Sequence, residues 1–428
     1  MEREKSRVGG TSRDDASVGR GRSGGQHGGG SHPGSRPAGP RAMRRRYAQA
    51  PVVFTWELTR ACALKCVHCR AEAQPDAHPD ELTTEEAREV LRQVRSFTPR
   101  PPVVVLSGGD PMARADVFDI LACGNELGLH MAITPASTPS LTPETVAELK
   151  DAGVVRMALS LDGATAEDHD TFRGQEGSFD VVVRAAEAAR EVGLEIQINT
   201  TVTRENAGDM CRIADLVESL GAVAWELFFL VPVGRGSALE PLGAHETEAL
   251  LRWLYRRERR SSFKVVTVEA PFYRRVGRQI ELEEREAGEE ARRDLAALGS
   301  TGDGNGFVFV SHTGEVFPSG FLPLSGGNVR ERSLVDIYRD SQLFRSMRDP
   351  EALKGKCGVC PFRFVCGGSR ARAFAVSGDP LEEDPFCAFE PPGWKGRAEA
   401  STSERASPSA TGARGAGDGR RPWRLAAS

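Results

Sequence analysis

At 428 residues, the chain is long enough to bury at least one large core, and two domains are a reasonable expectation. It has 39% hydrophobic and 27% charged residues and a formal net charge of −4, so no bulk charge favours nucleic acid or a membrane as partner. No apolar run approaches the roughly 20 residues that span a bilayer, and no apolar secretory segment is visible, so the expected location is the cytoplasm.

The two ends of the chain have compositions that do not support a packed core. Residues 1–46 are rich in Gly, Ser and Arg, with eleven Lys or Arg against four Asp or Glu, and residues 393–428 have the same character. Both are therefore predicted to be disordered tails. An alternative for the first segment is that the natural chain begins at Met43.

Between the tails, apolar strand-like runs alternate with helical patterns. The predicted strands are 52–58, 103–106, 130–134, 154–161, 195–202 and 225–231. The predicted helices between and after them are 84–97, 115–127, 143–152, 179–192 and 207–220. Such β-α repeats with short connections predict an α/β fold with a parallel sheet and outer helices, either a barrel or a doubly wound sheet. In both folds, ligands gather at the carboxyl ends of the strands.

The regular alternation stops after residue 231. The later predictions are a helix over 245–259, a strand over 265–268, a charged helix over 278–297 and a hairpin of 307–310 with 315–317. We therefore divide the chain into a core over 47–235, a helical connector over 236–300 and a smaller α+β domain over 301–392.

Three of the nine cysteines, Cys62, Cys66 and Cys69, follow the first strand with the spacing C-x3-C-x2-C. Three thiolates are one fewer than the usual four ligands of a [4Fe–4S] cluster. The missing ligand would leave a coordination position open, as in catalytic metal sites. The alternative from spacing alone is a zinc knuckle with a distant fourth ligand, such as His68 or His78.

This motif, its place after the first strand and the strand ends that follow resemble the radical S-adenosylmethionine (SAM) superfamily. The resemblance implies a partial (β/α)6 TIM-like barrel in which the open iron chelates SAM. It also implies that the reduced cluster cleaves SAM to a 5′-deoxyadenosyl radical, which abstracts hydrogen from the substrate. An external electron donor such as flavodoxin or ferredoxin is then expected as a partner.

Further strand-end residues match the pattern of this family. Gly108, Gly109 and Asp110 follow the second strand and resemble the Gly-Gly-Glu motif that contacts the SAM amino group, with Asp in place of the commoner Glu. By itself, Gly-Gly-Asp is also a good turn. Its place after the second strand is what favours the binding role.

Four more polar residues complete the SAM site that the resemblance implies. Ser160 and Asp162 end the fourth strand and match positions that serve the polar groups of SAM. Arg173 resembles the arginine that pairs with the SAM carboxylate, a task that suits a bidentate guanidinium, and Asn199 on the fifth strand is placed to reach the ribose. For Arg173 the alternative is an ordinary surface arginine, and for Asn199 a structural amide. The turn 233–236 resembles the turn around adenine, with a plain loop as the alternative.

A second group of cysteines lies near the C-terminus: Cys357, Cys360, Cys366 and Cys387. Four thiolates can enclose an auxiliary [4Fe–4S] cluster or a structural zinc ion. The surrounding residues resemble the SPASM/twitch extension, and most closely the branch with haem-maturing enzymes and the mycofactocin-type peptide maturase. The auxiliary cluster is therefore the preferred interpretation.

The chain departs from the full SPASM pattern at two positions. Ser319 and Ser369 stand where cysteines are common in domains that hold two auxiliary clusters. We therefore predict one auxiliary cluster.

The substrate is the least defined part of the prediction. Clustered arginines, Arg274 with Arg275 and Arg370 with Arg372, are candidates to bind carboxylates such as tetrapyrrole propionates. The hypotheses are a tetrapyrrole side-chain reaction, maturation of a ribosomally made peptide, and a non-catalytic Fe–S or zinc redox protein.

Overall fold

Short apolar stretches build one sheet at the centre of the molecule, which the computed structural model describes for residues 40–288 and 301–395. The strands in these ranges are β1 (Val53–Glu57), β2 (Val103–Ser107), β3 (Met131–Ile133), β4 (Arg156–Ser160), β5 (Glu195–Val202), β6 (Ala224–Phe229), β7 (Lys264–Val268), β8 (Phe307–Val310) and β9 (Val316–Phe317). Their order across the sheet is β7-β6-β5-β4-β3-β2-β1-β8-β9. Neighbouring strands are parallel, apart from the antiparallel pair β8 and β9.

Helices connect the parallel strands, because such strands require crossover connections. The helices in the described residues are α1 (Pro40–Gln49), α2 (Thr84–Arg95), α3 (Val117–Glu126), α4 (Pro143–Asp151), α5 (Ala166–Arg173), α6 (Ser178–Glu191), α7 (Met210–Ser219), α8 (Ala244–Glu258), α9 (Tyr273–Glu286), α10 (Leu334–Asp340), α11 (Gln342–Arg348), α12 (Gly355–Val359) and α13 (Arg370–Ser377). Helix α2 begins with the capping box that its sequence predicts, in which Thr83 and Glu86 bond each other's backbone N–H groups.

The two faces of the sheet differ in polarity. On β6, Trp225 and Leu227 are fully buried in the core shared with the helices, whereas Glu226 and Phe228 point to the opposite, partly exposed face. Since successive side chains of a strand alternate between faces, this second face lines the interior of the curled sheet.

The sheet curls until its two edges approach each other. Glu269 directly follows β7 at one edge, and Ser319 lies just past β9 at the other edge. The Ser319 hydroxyl nevertheless donates a hydrogen bond to Glu269 Oε1 at 2.9 Å. The predicted partial TIM-like barrel is thus confirmed.

The six predicted strands of the core all form, with ends that differ by at most two residues from β1 to β6. The strand predicted over 265–268 also forms, as β7, and extends the parallel sheet by one strand beyond β6.

Helix α5 was absent from the sequence predictions. It spans eight residues, begins at the capping residue Thr165 and ends at Gly174 in the left-handed conformation. Its mixed, mostly polar sequence has little helical periodicity, which is why only its caps could have indicated it. The helix is important for the site because it carries Arg173.

Three other segments differ from their predictions. Residues 40–46 of the predicted N-terminal tail belong to α1. Helix α9 begins at Tyr273, five residues before the predicted start at 278. The predicted hairpin forms, but β8 pairs in parallel with β1, so the hairpin extends the central sheet instead of starting a sheet of its own.

Parts of the predictions lie outside the described residues, namely 1–39, 289–300 and 396–428. Among the helices of the described ranges, none has both the length and the apolar character needed to cross a membrane.

Candidate functional site

The loop after β1 gathers the first three cysteines at the carboxyl end of the sheet. Cys62 and Cys66 are each 8% exposed, and they pack with Leu64 and Ala73, while Cys69 lies against the same group. Burial raises the pKa of the Cys62 thiol to about 11, and the negative charge of Asp110 adds to this effect. Thiolate ligands in such surroundings need a compensating positive charge, which iron supplies, so the donor set fits an iron–sulfur cluster.

Backbone N–H groups also point at these sulfurs. Leu64 N–H donates to Cys62 Sγ at 3.3 Å, and Ala73 N–H donates to Cys69 Sγ at 3.5 Å. Hydrogen bonds to cysteine sulfur stabilise the thiolate form and tune the reduction potential of a cluster. The loop is therefore preorganised to bind anionic sulfur ligands.

Gly108 and Gly109 let the end of β2 approach the backbone of this cysteine loop. A Cβ atom on Gly108 would lie 2.4 Å from the Thr59 carbonyl oxygen, and one on Gly109 would lie 2.4 Å from that of Ala61. Gly108 also has a φ of 141°, which favours glycine. The structure thus gives these glycines a packing role against the cysteine loop, beside their predicted place at SAM.

Asp110 is buried, with 5% of its surface exposed. Its Oδ1 accepts hydrogen bonds from the N–H groups of Met112 at 3.1 Å and Ala136 at 3.2 Å. Burial raises the pKa of this carboxyl, although the two hydrogen bonds oppose the shift. The carboxyl therefore has a defined orientation beside Cys62 and is able to bind a cationic group there.

Arg173 and Asp162 form an ion pair at the same end of the sheet. Asp162 is 1% exposed and accepts a further hydrogen bond from Thr201 N–H at 2.6 Å. Arg173 also lies 3.8 Å from Cys66 Sγ. Asp162 therefore orients Arg173, and the arginine links α5 to the cysteine loop. The direct contacts with SAM that we predict for both residues stay predictions.

Ser160 and Asn199 are neighbours in the register of β4 and β5. Both are partly exposed on the inner face of the curled sheet. Asn199 Oδ1 accepts a hydrogen bond from Gln197 Nε2 at 2.8 Å. The structure therefore places these two predicted residues side by side, facing the interior.

The turn after β6 binds the cysteine loop through its backbone. Arg235 N–H donates to the Cys69 carbonyl at 3.1 Å, and Arg235 Nε donates to the Cys66 carbonyl at 2.9 Å. Gly234 has a φ of 53°, and a Cβ there would lie 2.7 Å from the Cys69 carbonyl oxygen. The turn was predicted from the sequence but its contact with the cysteine loop was not, since nothing in a loop sequence identifies a distant partner.

A buried polar triad beside the cysteine loop escaped sequence reasoning. Glu57, at the end of β1, binds Arg70 at 2.8 Å through one oxygen and His312 Nδ1 at 2.7 Å through the other. Burial alone would raise the pKa of Glu57, but Arg70 and His312 outweigh it and lower that pKa to about 2. The Arg70 guanidinium also lies 4.7 Å from the ring of Phe309. The triad therefore joins the residue after Cys69 to the β8 segment.

The four later cysteines line one cavity. The cavity is lined by Arg275, Lys356, Cys357, Cys360, Phe362, Arg363, Cys366, Gly367, Gly368, Cys387, Phe389 and Pro391. Burial raises the pKa of each of the four thiols. Across residues 40–288 and 301–395, no three His, Cys, Asp or Glu side chains converge as ligands of a single metal ion.

Cationic side chains lie next to these sulfurs. Arg275 Nη2 is 3.7 Å from Cys387 Sγ, and Arg370 Nη2 is 3.9 Å from Cys357 Sγ. Guanidinium groups at these distances offset the negative charge of thiolate ligands. The donor set and its charges therefore fit an auxiliary iron–sulfur cluster.

Three of the four arginines predicted as candidates for substrate carboxylates are bound by the protein. Arg275 pairs with Glu248, and the fully buried Arg372 lies 3.3 Å from both oxygens of Asp384. Arg370 Nη1 donates to the carbonyl groups of residues 380 and 382. These three arginines are therefore structural in the described protein.

The two serines that replace common cysteine positions meet at one buried carboxyl group. Ser319 and Ser369 donate to the two oxygens of Glu269, whose φ of 58° is unusual for a residue other than glycine. Burial and the negative charge of nearby Asp303 raise the pKa of Glu269 to about 8. Asp303 in turn accepts from the N–H groups at the start of α13. Glu269 and Asp303 thus form a hydrogen-bonded acid pair, and both serines bind its Glu269.

Comparisons with known proteins agree with this geometry. The family model of the radical SAM superfamily matches residues 56–217. An AdoMet-dependent heme synthase of Methanosarcina barkeri is 42% identical over 348 residues, which are 80% of this chain and 97% of the relative. The mycofactocin maturase MftC of Mycolicibacterium smegmatis is 30% identical over 375 residues, with 86% and 89% covered.

A solved structure shares the fold. The crystal structure of Streptococcus suis SuiB bound to its precursor peptide SuiA has a TM-score of 0.61 at 18% identity, and 82% of this chain and 79% of that chain are covered. Motif, partial barrel and relatives together lead to one conclusion: the chain belongs to the radical SAM superfamily, and it is an enzyme that uses a [4Fe–4S] cluster and S-adenosylmethionine.

Proposed function

We propose that this radical SAM enzyme modifies side chains of an iron tetrapyrrole to form haem. The observation that carries the proposal is the 42% identity to an AdoMet-dependent heme synthase over 97% of that relative. The identity to the peptide-maturing relative is lower, at 30%. The substrate class is therefore a tetrapyrrole with carboxylate side chains, and peptide maturation is the second candidate.

The cluster and SAM, when bound, supply a 5′-deoxyadenosyl radical that takes a hydrogen atom from the substrate. We assign Cys62, Cys66 and Cys69 as the cluster ligands, because their thiols pack together on one loop. The backbone of that loop is held from two sides, by the end of β2 and by the turn after β6.

We assign the SAM contacts to the polar residues around this loop. Asp110 would accept from the SAM amino group, and Arg173, oriented by Asp162, would pair with its carboxylate. Ser160 and Asn199 would face the remaining polar groups from the inner face of the sheet. Gly108 and Gly109 keep this edge of the site free of side chains.

We further propose that Cys357, Cys360, Cys366 and Cys387 hold one auxiliary [4Fe–4S] cluster. The cations beside their sulfurs support this role. The acid pair between Ser319 and Ser369 argues against a second auxiliary cluster, since a carboxyl group already bonds both hydroxyls.

The first cluster needs an external one-electron donor, for which we propose a small redox protein such as flavodoxin or ferredoxin. We also propose a cytoplasmic location, because free cysteines and iron–sulfur clusters persist in reducing compartments.

The experiment that tests the proposed function is an anaerobic assay of the reconstituted full-length chain. Iron coproporphyrin, which carries four propionate groups, is supplied with SAM and dithionite, and haem and 5′-deoxyadenosine are quantified by mass spectrometry. We expect both products. Production of 5′-deoxyadenosine without any change in the tetrapyrrole would reject this substrate class and favour the peptide reaction.

The non-catalytic redox protein that the sequence left open does not agree with membership of this enzyme family. It predicts that the reduced, reconstituted chain releases no 5′-deoxyadenosine from SAM under any condition. Iron analysis adds a second criterion, since two cubane clusters require about eight irons per chain.

A further inference from the structure

A row of polar side chains crosses three neighbouring strands inside the curled sheet. Ser160 on β4 is paired in register with Asn199 on β5, and Asn199 is paired with Glu226 on β6. All three are partly exposed, whereas their strand neighbours Leu159, Ile198 and Trp225 are fully buried against the helices. The row therefore lies at one level of the barrel interior.

The row offers hydrogen-bonding atoms to a ligand. Gln197 Nε2 donates to Glu226 Oε2 and to Asn199 Oδ1, both at 2.8 Å. Among the residues that the structure describes, no protein partner is found for Glu226 Oε1 or Asn199 Nδ2. Neither atom is fully enclosed by protein, so both remain available from the interior.

Glu226 differs in charge from the other members of the row. Desolvation raises the pKa of its carboxyl to about 7, although the hydrogen bond from Gln197 and the charge of Arg156 oppose the shift. Arg156 on β4 is the charged side chain whose field reaches Glu226 within the described ranges, and it is already paired with Glu195 at 2.8 Å. A protonated carboxyl group of this kind is a hydrogen-bond donor in a place that lacks a free cation.

We propose that Glu226 is a substrate contact that binds a carboxylate side chain of the tetrapyrrole by donating a hydrogen bond to it. This proposal rests on the proposed function, and it adds a specificity residue one strand beyond the predicted SAM contacts Ser160 and Asn199. In this arrangement Gln197 fixes the orientation of the Glu226 carboxyl. The substrate carboxylate then lies beside the SAM site, where hydrogen abstraction takes place.

The experiment measures equilibrium binding of iron coproporphyrin and of its tetramethyl ester to the reconstituted holoenzyme, followed by the Soret absorbance. Glu226→Ala should weaken binding of the acid about tenfold or more at pH 6.5, as expected for loss of a hydrogen bond to a charged group. The same variant should weaken binding of the ester much less, because an ester carbonyl is a weaker hydrogen-bond acceptor than a carboxylate. Glu187→Gln, a change on the exposed side of α6, is the control that should alter neither ligand.

Glu226→Gln separates the contact from a structural role, because the amide keeps a donor of the same size. It should bind the acid within about threefold of the unmodified chain at pH 6.5. Binding by the unmodified chain should weaken as the pH rises through 7, because ionised Glu226 repels the carboxylate, whereas binding by Glu226→Gln should not change.

Three results would overturn the proposal. The first is an equal loss of acid and ester binding in Glu226→Ala. The second is an increased KM for SAM in the tetrapyrrole-free cleavage assay with unchanged tetrapyrrole binding, which would make Glu226 a SAM contact. The third is failure of the unmodified chain to bind the acid at all, which would reject the proposed function together with this inference.

Discussion

The cysteine loop after β1 and the cavity of the later cysteines both gather buried and partly buried thiols, but different elements support them. The first loop is held by backbone contacts from β2 and from the turn after β6, and acidic and basic side chains, Asp110 and Arg173, lie beside it. The later cysteines are flanked by cations, Arg275 and Arg370. Three cysteine ligands with side chains of both charges nearby suit a cluster that binds the amino and carboxylate groups of SAM. Four cysteine ligands flanked by cations suit a cluster that is enclosed by the protein.

Replacing one cysteine in each region should give the largest difference. Cys66→Ser is expected to abolish 5′-deoxyadenosine formation, because the cluster that reduces SAM loses a ligand. Cys360→Ser should keep SAM cleavage in the absence of tetrapyrrole and lose about half of the iron. Iron content and 5′-deoxyadenosine are the measurements. If Cys360→Ser also stopped SAM cleavage, the two regions would not be independent.

Removal of Arg173 is expected to have the next largest effect. Arg173→Ala leaves the buried carboxyl of Asp162 without its partner, which should lower the free energy of unfolding by about 3–5 kcal/mol. It should also raise the KM for SAM. Asp162→Asn in the same chain should restore part of the stability but not the KM, as measured by denaturant unfolding and steady-state kinetics.

The control for this change is Arg212→Ala, which removes an exposed ion pair with Asp209. Such pairs contribute only about 0–1 kcal/mol. A comparable loss of stability in both variants would show that Asp162 tolerates burial without Arg173.

Adding a methyl group at Gly109, where the end of β2 contacts the cysteine loop, should have a smaller effect than removing Arg173. Gly109→Ala places a Cβ 2.4 Å from the Ala61 carbonyl oxygen, so the cysteine loop must move, at a cost of about 1–3 kcal/mol. We expect a lower occupancy of the first cluster and unchanged occupancy of the auxiliary one. Gly208→Ala, where a Cβ meets no atom within 4 Å, is the matched control.

The smallest expected effect is the pH dependence of stability that comes from the acid pair Glu269 and Asp303. The folded-state pKa of Glu269 is about 8 and its ordinary value is 4.5, so the folded chain binds the extra proton between these values. Its contribution to stability is complete below about pH 4.5 and is lost as the pH rises through 8.

Glu269→Gln should therefore reduce the fall in the unfolding midpoint between pH 6 and pH 9, as followed by thermal unfolding at each pH. An equal pH dependence in both chains would indicate that Glu269 is ionised throughout. Glu281→Gln, which removes another buried carboxyl group on α9, is the variant for comparison.

The features that the sequence predicts correctly are those encoded by residues close together in the chain. The β-α alternation, the capping box of α2 and the cysteine spacings are encoded by residues close together in the chain, so the parallel α/β sheet and both cysteine groups were predictable. The partial barrel was predicted only through the resemblance to the radical SAM superfamily. Helix α5 was missed because its eight mostly polar residues show little periodicity. It nevertheless places Arg173 beside Cys66.

The sequence by itself determined the family, the alternation of strands and helices and the residues available as iron ligands, because each depends on short-range patterns. Only the tertiary structure decided which residues, distant in the chain, contact these strands and cysteines. Glu57 binds His312 across 255 positions, and Ser319 and Ser369 meet Glu269 across 50 and 100 positions. Such contacts depend on the curvature of the sheet and on burial, which raises the pKa of some carboxyls and lowers that of others according to their neighbours.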